Sequence, residues 1–390
     1  MSSRVVAQAP ARRAPGILIT GVALFSMFFG AGNLIFPLLI GQKAGSGILP
    51  ALFGLSISAI LFPILGLMTM RLFNGNIKSF LEGLGKGPSF FLLSVLQIIQ
   101  GPICLARLIQ LMYASLKPYF PAPFPFFVLC MLALFYLIAY RSHRLIPWLS
   151  KVLTPFFILS LVILIVAGLF SAPPLPVSAE SAFFHFSQGL KGGYMTMDLI
   201  SALLFATVVI PQFMAGGISV QESKRRMFGA SCVAAFLLLL AYLGLTLVAA
   251  HHGQTLSTRP EELLQGLAQK ILGAEGAFLS AVIVFFACLT TAVALATVFA
   301  NYIHQEISAK KIPFPPALVI TLLLAAGVAS VDFGVILHWM GIVLDLLYPA
   351  LTLLCLCHFI RIRYPAVSLK IPVFAALLFG SVRFYLQTSL

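Results

Sequence analysis

Residues 30–37 read Gly-Ala-Gly-Asn-Leu-Ile-Phe-Pro within a long apolar run. Each glycine weakens a helix there, by roughly 1 kcal/mol relative to alanine. An asparagine surrounded by hydrocarbon has no water to bond, so its amide needs another partner. Two readings follow. In one, the helix breaks, and a half-helix starting near Gly32 or Asn33 offers free N–H groups and a positive dipole end to a carboxylate. In the other, the small residues only let two helices approach closely. A comparable stretch is Leu190-Lys191-Gly192-Gly193-Tyr194-Met195-Thr196-Met197-Asp198, where a glycine pair opens a span and Asp198 is placed to cap the helix that follows. The plain alternative is the interfacial start of an unbroken helix.

A third polar cluster interrupts the apolar run Ala287-Cys288-Leu289-Thr290-Thr291. Threonine hydroxyls in an apolar helix bond the carbonyl four residues back. With backbone carbonyls they also offer the oxygen ligands a hard cation such as sodium takes. Arg107 and Asp345 read as charges inside spans, and such charges mark function by default. Pro349 is placed to kink its helix. His251 and His252 read as solvated loop residues. The six cysteines all fall in apolar segments and read as small hydrophobes. Cys355, Cys357 and His358 lack the second ligand pair that a metal site requires.

The elements that carry these residues follow from composition. Of 390 residues, 61% are hydrophobic and 9% charged, and mean hydropathy is +1.06. A soluble domain of this size carries far more charge. The net charge of +14 does not point to nucleic acid, because the basic residues are spread over short loops between apolar runs. Arg4, Arg12 and Arg13 precede an apolar stretch as in a secretory leader. That stretch runs on to Leu39 with no small-residue cleavage pattern, so it reads as a first span. Charges, Pro and Gly divide the chain into eleven spans, near 16–41, 46–70, 88–116, 122–140, 146–170, 192–216, 229–250, 276–303, 313–331, 333–360 and 369–389. Residues 182–190 read as a short half-helix ahead of the sixth, and 261–270 as a helix ahead of the eighth. With a cytoplasmic N-terminus, seventeen basic loop residues lie inside and five (Lys43, Lys117, Lys191, Arg259, Lys270) outside. Spans 1–5 and 6–10 then form two halves of opposite orientation, a common transporter plan.

Taken together and in order, 30–37, Gly101-Pro102 with Arg107, 193–198, Ala287-Cys288-Leu289 with Thr291-Ala292-Val293, and Tyr348-Pro349 resemble the motifs of the bacterial branched-chain amino acid:cation symporters. The likeness runs over roughly residues 16–385. It implies an all-α membrane protein of about eleven helices, a five-plus-five inverted repeat with broken first and sixth helices, and sodium bound between the first and eighth. The corresponding division is a cytoplasmic tail (1–15) and one transmembrane domain (16–390), with repeats at 16–171 and 181–360 and an extra helix at 366–390. The implied function is sodium-coupled import of leucine, isoleucine and valine across the bacterial inner membrane, with no enzymatic activity and no cofactor beyond the coupling ion. A proton-coupled symporter or an exchanger for apolar amino acids such as methionine is the nearest alternative. A membrane-embedded enzyme lacks a catalytic cluster. The expected substrate site is Phe29, Gly30, Ala31, Gly32 and Asn33 with Gly193, Tyr194, Met195, Thr196, Met197 and Phe205. The expected sodium ligands are Ser26, Phe29, Ala287, Thr290 and Thr291, and the lipid bilayer is the remaining partner.

Overall fold

A computed structural model describes residues 16–140, 155, 158–214, 220–253, 256 and 259–388. The tail 1–15, the first part of the fifth span and the loop residues Arg141, Arg144 and Lys151 lie outside the described residues. Every described element is helical. The first span is two helices, α1 (Ile17–Phe28) and α2 (Ala31–Ala44). The second comprises α3 (Ile48–Ser56) and α4 (Phe62–Leu72), joined through a π turn at Ile57–Leu61. The third joins α5 (Lys86–Ile98) to α6 (Cys104–Leu116) through a π turn at Ile99–Ile103. Pro102 sits in that turn, where a wider helical ring accommodates a residue with no N–H. Then come α7 (Phe124–Tyr140) and the described part of the fifth span, α8 (Ile158–Phe170).

A second broken span follows. The sixth span is α9 (Ala182–Met195) and α10 (Asp198–Met214), and the seventh is α11 (Val220–His252). α12 (Leu263–Tyr302) combines the expected loop helix with the eighth span across a kink at Gly273, whose φ of 73° suits glycine. The chain closes with α13 (Phe314–Ala329), α14 (Phe333–Arg363) and α15 (Lys370–Thr388). Five helical stretches are long and apolar enough to cross a membrane, and five shorter apolar helices accompany them. Large apolar side chains such as Phe91, Phe170, Leu129 and Phe379 point outward, as a lipid-facing surface requires.

Packing between the halves is reciprocal. Both parts of the first span lie along α11, the second helix of the other half. Both parts of the sixth lie along the second span, α9 on α3 and α10 on α4. These contacts are backbone-close. A Cβ on Gly189 would collide with the Ala51 carbonyl, one on Gly193 with the Ser58 hydroxyl, and one on Gly41 with the Thr246 carbonyl. Such approach is what small residues permit in a medium with little hydrophobic driving force between helices.

Two expectations are corrected, at the sixth span and at His252, and two further residues are placed. The sixth span begins at Ala182, and α9 passes unbroken through Gly192-Gly193, so that pair packs helices together and the break falls later. Asp345 does not stand alone: it pairs with Lys191 at 3.8 Å, and both residues line one vestibule. Of the two histidines at the end of α11, His252 turns inward and His251 stays partly exposed. His252 is buried, with its Nε2 2.9 Å from the Gly168 carbonyl, and His251 Nδ1 lies 2.6 Å from that of Pro173. α14 continues as helix through Pro349.

Candidate functional site

The first span breaks at Phe29 and Gly30. Phe29 keeps its helical bond to the Phe25 carbonyl at 2.8 Å, but Phe29 (ψ 89°) and Gly30 (φ −111°, ψ −165°) leave helical geometry. Asn33 then folds back, its Oδ1 accepting the Gly30 N–H at 3.0 Å. The remaining N–H groups of the first turn of α2 have no partner within the helix. The sixth span breaks at Thr196 and Met197, and Met197 takes φ 61°. A non-glycine residue in that region carries about 1–3 kcal/mol of strain, a cost that recurs at functional positions.

The two breaks touch. A Cβ on Gly32 would lie 3.0 Å from Thr196 Cα and 3.3 Å from its carbonyl oxygen. One buried polar cluster fastens them. Asn33 Nδ2 donates to Asp198 Oδ2 at 2.7 Å and also to the Tyr242 hydroxyl. Tyr242 donates to the same carboxylate oxygen at 2.9 Å, and the Thr196 hydroxyl lies 3.0 Å from it. Asp198 and Asn33 are each 1% exposed, and Asp198 Oδ1 has no hydrogen-bond partner. Asp198 is thus the first residue of α10, with its charge favoured by the helix dipole. It binds across the break instead of capping its own helix as expected.

A small cavity, about 20 Å³, opens beside this cluster and has room for roughly one water. Of the expected substrate residues, Gly30, Gly32, Asn33, Thr196, Met197 and Phe205 border it. The others do not. Phe29 stacks on Tyr242, with ring centres 6.4 Å apart. Tyr194 stacks on Tyr348 at 4.5 Å, and Met195 faces a separate vestibule of about 330 Å³. Gly193 packs on Ser58, and the side chain of Ala31 lies outside the described residues.

Thr291 borders the cavity and contacts Gly30: a Cβ there would lie 3.4 Å from the Thr291 hydroxyl. Its hydroxyl donates to the Ala287 carbonyl at 3.0 Å. The Thr290 hydroxyl lies 3.2 Å from the Phe286 carbonyl and 3.1 Å from that of Ala287, and Thr290 is not part of the cavity wall. Ser26 is half-buried on α1. Back-bonding and ion binding are compatible here, because a donated hydroxyl keeps its lone pairs.

Sequence reasoning missed Gln100, Ser201 and Tyr242, and gave Tyr348 no role beyond the Tyr348-Pro349 motif. Gln100 lines the cavity and donates to the Ser201 hydroxyl at 2.6 Å. It precedes Gly101-Pro102, and a polar residue beside two helix-weakening ones is a usable signal. Tyr348 accepts the Leu199 N–H at 3.3 Å. Tyr242 stands alone in an apolar run and gives no signal.

The family model for branched-chain amino acid transport proteins matches residues 14–389. The branched-chain amino acid permease BrnQ of Corynebacterium glutamicum is 30% identical over 355 residues, covering 87% of this chain and 80% of that protein. BrnQ of Escherichia coli K12 is 28% identical over 385 residues, covering 94% and 86%. Among solved structures, the chain is similar to Mhp1, a nucleobase-cation-symport-1 family transporter in a closed conformation (TM-score 0.61, 13% identity, 98% of this chain and 96% of that one). It is also similar to a Na+-coupled sialic acid symporter (TM-score 0.57, 11% identity, 94% and 89%). At these identities the structures show the fold alone.

Proposed function

The chain belongs to the family of branched-chain amino acid transport proteins, and from that premise we propose that it imports leucine, isoleucine and valine by symport with sodium. Branched-chain amino acid transport follows from the family, which is one of transporters and not enzymes. The coupling ion, the direction and the site are our reading.

The observation that carries it is the meeting of two helix breaks around one buried cavity. A substrate carboxylate takes the free N–H end of α2 at Gly30–Asn33. Carbonyls released at the second break, near Gly193–Met195, take the ammonium, and Phe205 and Met197 face the aliphatic tail. Sodium binds the Thr291 hydroxyl and carbonyls of α12 and α1, from Ala287, Ser26 and Phe29, with Thr290 at the flank. Sodium at that junction holds the first break in the shape that the substrate requires, so each ligand favours the other's state. The present cavity admits about one water, so substrate enters only as the surrounding helices part.

Uptake of labelled leucine into liposomes, with and without an inward sodium gradient, tests this. Accumulation should need the gradient, isoleucine and valine should compete, and lysine and glutamate should not. The second reading is proton coupling, favoured by the buried Asp198 with its unpartnered Oδ1. Uptake that follows a pH gradient and ignores sodium selects it and removes the sodium site.

A further inference from the structure

Arg107 has no role in the reading above. It is 2% exposed, projects from α6 into the wall of the central cavity, and meets no carboxylate among the described residues. One terminal nitrogen lies 3.5 Å from the Met340 sulfur, a weak acceptor. Its guanidinium carbon lies 5.4 Å from the centre of the Phe36 ring, and its Nε has no hydrogen-bond partner. A buried guanidinium satisfied only by a thioether and a ring face is an expensive arrangement. It is sustained where an anion arrives in the functional cycle. Phe36 also lines the vestibule, so Arg107 stands at the boundary between that vestibule and the closed cavity. In the same cavity wall, Gln100 carries a buried carbonyl oxygen, Oε1, with no partner. A cation with no carboxylate partner among the described residues and an unpartnered carbonyl bordering one small space are what a zwitterion completes.

We propose that Arg107 binds the carboxylate of the transported amino acid, together with the N–H end of α2, and so makes the site selective for free amino acids over derivatives that lack the carboxylate charge. This rests on the transport reading above and adds to it a charged anchor on the third span. The planar guanidinium suits a carboxylate because two parallel N–H donors match its two oxygens. Met340 and Phe36 hold the side chain between substrate visits.

The test compares binding of L-leucine and of leucinamide, which lacks the carboxylate charge, to the purified full-length protein in liposomes. For Arg107→Gln, leucine affinity should fall about 10- to 100-fold while leucinamide affinity stays within about 2-fold, so that the preference for leucine collapses. Arg107→Lys should recover part of the preference, as a point charge replaces a fork. Arg107→Met should keep the thermal unfolding midpoint or raise it, because it removes a buried charge that lacks a carboxylate partner. Equal weakening of both compounds by Arg107→Gln, or no weakening of either, overturns the proposal alone. If that variant does not fold, unchanged selectivity in Arg107→Lys overturns it instead. Wild-type protein that binds no leucine overturns the transport reading and this proposal with it.

Discussion

Adjacent residues on a helix point about 100° apart, and Thr290 and Thr291 show the consequence. Thr291 reaches the break at Gly30, whereas Thr290 spends its hydroxyl along its own helix and stays out of the cavity. The two substitutions to alanine therefore separate. Thr291→Ala removes an oxygen that faces the broken first span and should cost sodium binding on the order of 1–3 kcal/mol, or roughly 5- to 150-fold. Thr290→Ala should change the sodium concentration for half-maximal uptake by less than about 3-fold, since the hydroxyl it removes bonds only locally. Sodium titrations of leucine uptake measure both, and equal effects would place the ion elsewhere. At this scale the sequence was readable where a residue breaks a local rule. Asn33 and Asp198 are polar in apolar surroundings, and both sit at the centre of the site. Tyr242 breaks no rule, because an aromatic residue in an apolar helix needs no explanation, so its bond to Asp198 was hidden.

Glycine carries two meanings in a membrane helix, and the sixth span shows how sequence alone confuses them. Gly30 marks a break, where the backbone leaves helical angles. Gly189 and Gly193 mark a contact, four residues apart on the face of α9 that meets α3. Which meaning applies depends on the opposing helix, which no local window contains. The break itself falls on Met197, whose left-handed backbone is imposed by its surroundings and is not announced by its residue type. The packing role has a direct test. Gly193→Ala places a methyl group against the Ser58 hydroxyl and should lower the thermal unfolding midpoint, at a cost of about 1–3 kcal/mol for overpacking. Combining it with Ser58→Gly returns the missing volume to the opposite helix and should recover most of the loss. Failure of the pair to recover, while Ser58→Gly alone is tolerated, would mean that α9 and α3 do not meet through these residues in the membrane.

Across the whole molecule, the loops sort into two sets, and two independent observations produce the same sorting. Basic residues favour one set seventeen to five when the chain is followed through eleven crossings. Contacts between loops respect the same division. On the basic side, Lys78 from the connection after the second span pairs with Glu306 at the end of the eighth, at 2.7 Å. On the other side, Gln42 donates to the Gly253 carbonyl at 2.8 Å, and the Ser178 N–H donates to the Ser46 hydroxyl at 2.9 Å. One miscounted crossing between these partners would place them on opposite faces of a hydrocarbon layer about 30 Å thick, where no hydrogen bond reaches. Periodicity and charge were therefore enough for the order of the helices and for which described loops lie together, while the lengths of the helix ends were not. The seventh span begins at Val220, nine residues before its apolar run, because Glu222 and Arg226 pair along the helix where it leaves the lipid. The third span gives the clearest test of sidedness. Lys86–Leu116 is 31 residues, about 46 Å of helix, long enough to cross with both ends in water. Gly87 is exposed at one end, and Lys117 is exposed just past the other. In a cysteine-free background, Gly87→Cys should react with an impermeant thiol reagent only from the cytoplasmic face, and Lys117→Cys only from outside. The reverse pattern would invert the whole molecule and make the cytoplasmic N-terminus wrong while leaving the fold intact. Labelling of both from one face would remove a crossing, and with it the opposed orientation of the two halves on which the paired breaks depend.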